Sequence, residues 1–128
     1  MTRSFLRAAA LMLALATFAS SASAHEATKG PNGGPLIDIS GHHVEFVPVG
    51  NDLTFILTGD KDAPIASAGA KMKAIVQLAG KTSQIELTAV EPNKLQGKST
   101  EPLTPGTKVV ISGTLADGHN LQGRFVVP

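Results

Sequence analysis

Apolar and polar residues alternate with a period of two along most of the chain that follows residue 34. In the segment 42–48, Val44 and Phe46 share one side, and His42 has the same parity. The segments 53–58 and 72–78 also carry apolar residues at every second position. Successive side chains of a β-strand point to opposite faces, so each segment is predicted to be a strand with one buried and one wetted face.

The same alternation continues through 84–89, 109–115 and 121–127, and Pro35–Ile39 is predicted to open the sheet. All 13 glycines and all 8 prolines lie after residue 29, and most of them recur at short intervals between these runs, as is typical of an all-β domain. About seven short strands predict a small immunoglobulin-like antiparallel β-sandwich. A small closed barrel is the alternative.

Two turns and one long connection complete the predicted elements. Gly80-Lys81 fits a type II′ hairpin, and Asp117-Gly118 fits a type I′ hairpin. The connection 60–71 is long enough to carry an irregular edge strand. No segment beyond residue 24 has a helical period.

The N-terminal segment has the composition of a secretory signal peptide. Arg3 and Arg7 precede an apolar run, and Ala22-Ser23-Ala24 has the small-x-small pattern of a cleavage site. The run is shorter than the roughly 20 residues that span a bilayer. We therefore expect 1–24 to be a signal peptide, 25–34 a flexible N-terminal arm and 35–128 the β-sandwich domain. Export by the general secretory route would place the protein in the periplasm, without membrane attachment after cleavage.

Charge and composition exclude several function classes. The chain has 11 Lys and Arg against 10 Asp and Glu, and two of the arginines belong to the signal, so the mature protein is near neutral. This near-neutral balance gives no electrostatic reason to expect binding to nucleic acid or to an anionic membrane. The absence of cysteine excludes disulfides and thiolate chemistry. No nucleophile–base set or cofactor motif is present, so we expect a binding protein and not an enzyme.

Cleavage after Ala24 would leave His25 as the first residue, with a free α-amine. The amine and the imidazole Nδ1 of one residue can form a chelate ring, and nitrogen ligands in a tetragonal arrangement suit Cu(II). His25 is therefore a candidate metal ligand. The alternative is a terminal histidine that frays in solvent.

The predicted strand 42–48 offers further ligands. His43 and Glu45 are two residues apart, so they project from one face at a separation that a metal ion can bridge. His42 points to the other face, where a half-buried, hydrogen-bonded histidine is the simpler interpretation. A solvated polar face is the alternative for His43 and Glu45. His119 and Asp117 could form a second small site, but an exposed hairpin tip explains them as well.

The segment "GPNGGPLIDISGHHVEF", 30–46, resembles a motif of small bacterial periplasmic proteins. A similar Gly-Gly…His-x-Glu segment occurs near the start of some periplasmic adaptor subunits of heavy-metal efflux pumps. The resemblance implies a compact β-sandwich that handles metal in the periplasm. It points to His43 and Glu45, with His42 beside them, and it makes Gly33 and Gly34 the residues of a backbone elbow. A mature N-terminal histidine is also similar to the start of copper-resistance sandwiches.

The sequence thus predicts a periplasmic metal-binding protein in metal homeostasis or efflux. Its metal site would consist of His25, His43 and Glu45, with His42 adjacent, and would hold Cu(II) in preference to Zn(II). Its partners would be the metal ion and a periplasmic efflux component. The alternative is an envelope protein–protein interaction module without metal. A copper enzyme acting at His25 is a third hypothesis, and the lack of Trp and Tyr argues against a polysaccharide substrate.

Overall fold

The computed structural model of the protein describes residues 27–128. The predicted signal peptide and His25 lie outside the described residues. One short 3₁₀ helix, Asp60–Asp62, occupies the start of the long connection. The strands of this part of the chain are β1 (Thr28–Lys29), β2 (Pro35–Ile39), β3 (His42–Val49), β4 (Asp52–Thr58), β5 (Lys71–Leu78), β6 (Lys81–Glu86), β7 (Thr88–Val90), β8 (Lys94–Lys98), β9 (Lys108–Thr114) and β10 (Asn120–Val126).

The strands form two antiparallel sheets, which confirms the predicted all-β fold. Sheet A has six strands in the order β1-β2-β3-β4-β8-β7, and sheet B has four in the order β10-β9-β5-β6. The alternating apolar positions of both sheets face each other, so the two layers enclose one hydrophobic core. Its buried residues are Val44, Phe46, Leu53, Phe55, Leu57, Met72, Ala74, Val76, Leu87, Leu95, Val109, Ile111, Leu115, Leu121, Phe125 and Val127.

Three phenylalanines form the centre of this core. The rings of Phe46 and Phe55 stack with centroids 4.8 Å apart in sheet A. Phe125 of sheet B meets both, with centroid distances of 5.4 Å to Phe46 and 5.6 Å to Phe55. Tilted aromatic contacts of this kind add to the free energy that area burial provides. The aromatic residues thus tie the two layers together.

The segment predicted as an arm contributes to sheet A. Thr28 and Lys29 pair with Leu36 and Pro35, because the glycine-rich stretch between them turns the chain back on itself. Gly33 has a φ of 85°, and a side chain at Gly34 would collide with the carbonyl oxygen of Phe46. The elbow expected from these two glycines is therefore present.

Hairpin turns differ in detail from the predicted types. The β5–β6 turn is centred on Ala79 and Gly80, both with positive φ, because Leu78 pairs directly with Lys81. The β9–β10 connection, 115–119, closes on a three-residue loop, 116–118, in which only Gly118 has positive φ. The N–H of Gly118 donates to Leu115, and the N–H of Leu115 donates to His119, which fits a type I turn followed by a bulge.

The long connection contains no strand before β5 begins at Lys71, and Pro64 forms only an isolated bridge with Thr58. Within residues 27–128, no helix has the length and apolar character that crossing a lipid bilayer requires.

Candidate metal centre

Two hairpins meet at one end of the sandwich, and a histidine lies at the start of the second strand in one and directly before it in the other. Ser40 and Gly41, with φ of 52° and 84°, form the β2–β3 turn and place His42 opposite Ile39. The β9–β10 loop places His119 directly before β10. The imidazole centroids of His42 and His119 are 5.1 Å apart and tilted by 53°.

His42 is half-buried, and its Nδ1 lies 3.2 Å from the carbonyl oxygen of Ile39. A carbonyl oxygen can only accept, so this contact needs the proton on Nδ1 and leaves Nε2 with a free lone pair. Metal-binding histidines very often donate their second ring N–H to such a carbonyl, which fixes the tautomer and the ring orientation. The half-buried, hydrogen-bonded histidine expected at position 42 is thus also suited to bind a metal.

Asp117 holds His119 through two contacts. Its Oδ1 accepts the backbone N–H of His119 at 3.0 Å, and its Oδ2 lies 2.8 Å from Nδ1 of the same residue. The backbone hydrogen bond and the side-chain hydrogen bond from His119, followed by the charges of His119 and His42, hold the pKa of Asp117 below its usual value. Asp117 is therefore ionised at neutral pH and adds a negative charge beside two imidazoles.

His42, Asp117 and His119 each offer a ligand atom, and these atoms lie within 4.8 Å of one another. Ligands about 2.0–2.2 Å from a common ion are separated by about 3–4 Å, so small side-chain adjustments would bring the three atoms into one coordination sphere. Two imidazoles and a carboxylate form a nitrogen–oxygen donor set that suits Cu(II) and Zn(II). Asp117 can act as a ligand or can orient His119.

The structure separates His43 and Glu45 from this group. His43 points to the opposite face of β3, as its parity predicts, and its Nε2 lies 3.2 Å from Oδ2 of Asp38. Glu45 is 2% exposed, and its carboxylate accepts hydrogen bonds from Asn32 and Gly34 in the glycine elbow. Metal coordination by His43 and Glu45 stays a prediction, as does coordination by His25.

The sequence-based predictions do not place His42 and His119 close together, although the sequence contains a pattern that points to it. His42 has the parity of the buried Val44, and His119 has the parity of the buried Leu121. Each histidine directly follows a turn glycine. Two histidines with the parity of buried residues converge if the two hairpins end on the same side of the core, and this depends on how the sheets are stacked.

No protein-family model, curated protein sequence or solved structure matches this chain.

Proposed function

We propose that the protein is a periplasmic metal-binding protein that holds Cu(II), or secondarily Zn(II), at His42, Asp117 and His119. The observation that carries the proposal is the convergence of three ligand atoms within 4.8 Å. The hydrogen bond from His42 to Ile39 supports it, because it leaves a ring nitrogen available for an ion. The sandwich would be of the immunoglobulin-like type and would have no catalytic activity.

His25 is the proposed source of additional nitrogen ligands. β1 runs antiparallel to β2, with Thr28 opposite Leu36. His25 precedes Thr28 by three residues, and Ile39 follows Leu36 by three residues, so an extended chain from Thr28 to His25 is as long as the strand from Leu36 to Ile39. The carbonyl oxygen of Ile39 is the atom that contacts His42. The α-amine and imidazole of His25 are therefore within chain reach of the same end of the sandwich. Such a site would suit buffering of the ion or its transfer to a periplasmic efflux component.

The test is Cu(II) titration of protein exported to a periplasm, with the N-terminus established by mass spectrometry. We expect one strongly bound ion per chain, with a nitrogen-split electron paramagnetic resonance signal. His42→Gln and His119→Gln should each weaken binding by at least about tenfold, because even residues that only orient ligands have effects of this size. A chain with one extra residue before His25 tests the contribution of the terminal amine.

His43→Gln separates this site from the one predicted on His43 and Glu45. If His43→Gln weakens binding while His42→Gln and His119→Gln do not, the ion lies on the other face of β3 and the proposed centre is wrong. If Cu(II) and Zn(II) bind no better than to an ordinary histidine-bearing protein, the interaction module without metal becomes the better hypothesis.

A further inference from the structure

The outer face of sheet B carries more basic than acidic residues, although the chain as a whole is nearly neutral. Alternate residues of β5, β9 and β10 point away from the core on this face. We call this surface the basic face, and it is defined by Lys71, Lys73, Lys108 and Arg124 around Ile75, Val110 and Val126. Glu86 of β6 pairs with Lys73, so one acidic residue also lies on this face.

The register of the strands determines the layout of the basic face. Ile75 pairs with Val110, and Val110 pairs with Arg124, so an aliphatic pair lies at the centre of one row. Lys108 lies in the next row, beside Val126, which is 55% exposed. In the other direction, Lys73 and then Lys71 follow on β5. The cations therefore surround an aliphatic centre.

None of the four cations forms a close ion pair within the described part of the protein, and Glu86 is the one carboxylate among them on this face. The ion pairs formed between residues 27 and 128 are His43–Asp38, Lys98–Asp52 and His119–Asp117, and none of them includes a cation of this face. Lys71 and Lys73 also border an open depression of about 670 Å³, together with Glu86 and the hydroxyl-bearing Ser112 and Thr114, so that two cations face one carboxylate there. Ammonium groups and hydroxyls around a concavity provide hydrogen-bond donors for a carboxylate.

We infer that the basic face is a docking surface for an acidic segment of a partner protein. An aliphatic centre with a charged rim is the usual anatomy of a protein–protein interface. With strands about 4.8 Å apart and side chains repeating about every 7 Å, the face measures roughly 14 by 20 Å. An extended acidic segment of about six residues matches this length, and its carboxylates would reach Lys71, Lys73 and Arg124. The area is that of a small, transient interface.

A lipid surface fits this face less well. Interfacial membrane-binding surfaces insert Trp, Phe or Leu beside their cations. The aromatic residues of the described chain, Phe46, Phe55 and Phe125, are all buried in the core. The aliphatic side chains of the face are short and lie between cations, which favours contact with a polypeptide.

The experiment measures binding of a fluorescently labelled peptide of about ten residues, with alternating glutamate and alanine, to the full protein by anisotropy. A chelator keeps metal out of the assay, so the result does not depend on the metal centre. We expect saturable binding that weakens steeply with salt, as for a charged interface. Lys71→Gln, Lys73→Gln, Lys108→Gln and Arg124→Gln in one chain should weaken binding about tenfold or more.

The matched control removes four cations elsewhere, through Lys29→Gln, Lys61→Gln, Lys94→Gln and Lys98→Gln. The net charges of the two variants are equal, so a smaller effect in the control assigns binding to the basic face. Circular dichroism and thermal unfolding must show that both variants fold. Equal loss in both variants would overturn the inference. Absence of peptide binding would also overturn it, as would binding only to phosphatidylglycerol vesicles.

Discussion

Glu45 is a buried carboxylate whose hydrogen-bond partners are neutral. Oε1 accepts the backbone N–H groups of Asn32 at 2.8 Å and Gly34 at 3.1 Å, and Oε2 accepts the Asn32 side-chain amide at 3.0 Å. A side chain at Gly30 would overlap the carboxyl group. Glu45 therefore acts as the anchor around which the glycine elbow closes, and the elbow in turn aligns β1 with β2.

Glu45→Ala should destabilise the fold by about 1–3 kcal/mol, because it leaves backbone N–H groups of the elbow without an acceptor. Glu45→Gln should cost less, since the Asn32 amide can turn over and satisfy the new donor. Glu86→Ala, at an exposed position of β6, is the matched control. Urea unfolding followed by far-UV circular dichroism measures the difference, because the chain has no Trp or Tyr. Equal midpoints for Glu45→Ala and Glu86→Ala would contradict the anchoring role.

The sequence predicts the orientation of single residues well and their partners less well. Strand parity correctly places His42 and His43 on opposite faces. It also places Glu45 on the outer face of β3, where a solvated carboxylate would be expected. The parity of one strand contains no information on what covers that face, and here the elbow folds over it. The same limit applies to His42 and His119, which belong to different sheets.

The run 81–90 shows how one alternating pattern can serve two strands. Its first part is β6 in sheet B, and its last part is β7 in sheet A. Leu87 lies at the crossing, where its N–H donates to the carbonyl of Met72. Ile85, Leu87 and Ala89 all pack against the core, so the alternation continues across the change of sheet. Gly97 of β8 makes room for this packing, since a side chain there would meet Ile85 and Leu87.

Leu87→Ala should cost about 2–5 kcal/mol, as expected for a large aliphatic residue truncated in a core. The loss should exceed that of Val90→Ala, because Val90 is exposed on the edge strand β7. Urea midpoints and slopes for the two variants test this, and an unchanged slope would show that the same surface unfolds. A cost for Leu87→Ala no larger than for Val90→Ala would argue against the crossing as a core position.

The sequence predicts the strands in which apolar residues recur along the segment, and it misses β1 and β8. β8 contains one buried aliphatic residue, Leu95, and the next position on the same face is Gly97, so its alternation is too weak to predict a strand. β1 has two exposed residues and exists through backbone pairing with β2. The sequence predicts one strand over 84–89, because alternation shows on which face a side chain lies and contains no information on which sheet the strand joins.

At the scale of the whole molecule, the His42–Asp117–His119 group joins the two layers. His42 begins β3 in sheet A, and Asp117 and His119 belong to the hairpin that leads into β10 in sheet B. The phenylalanine cluster makes the corresponding connection in the core, between Phe125 and the pair Phe46 and Phe55. An ion held at the surface group would therefore connect the same two layers that the aromatic rings connect inside.

An ion that bridges the sheets must bind the folded state better than the unfolded chain, where the two hairpins are apart. At a free Cu(II) concentration of one hundred times Kd, this linkage stabilises the folded protein by about 2.7 kcal/mol. Asp117→Asn should remove about half of that increment or more, whether Asp117 binds the ion or orients His119, because a tenfold weaker Kd leaves about 1.4 kcal/mol. Asp52→Asn, at an exposed carboxylate of β4, should leave the increment unchanged. Thermal unfolding with and without Cu(II) measures both, and equal increments in the two variants would show that the ion does not use the group that joins the sheets.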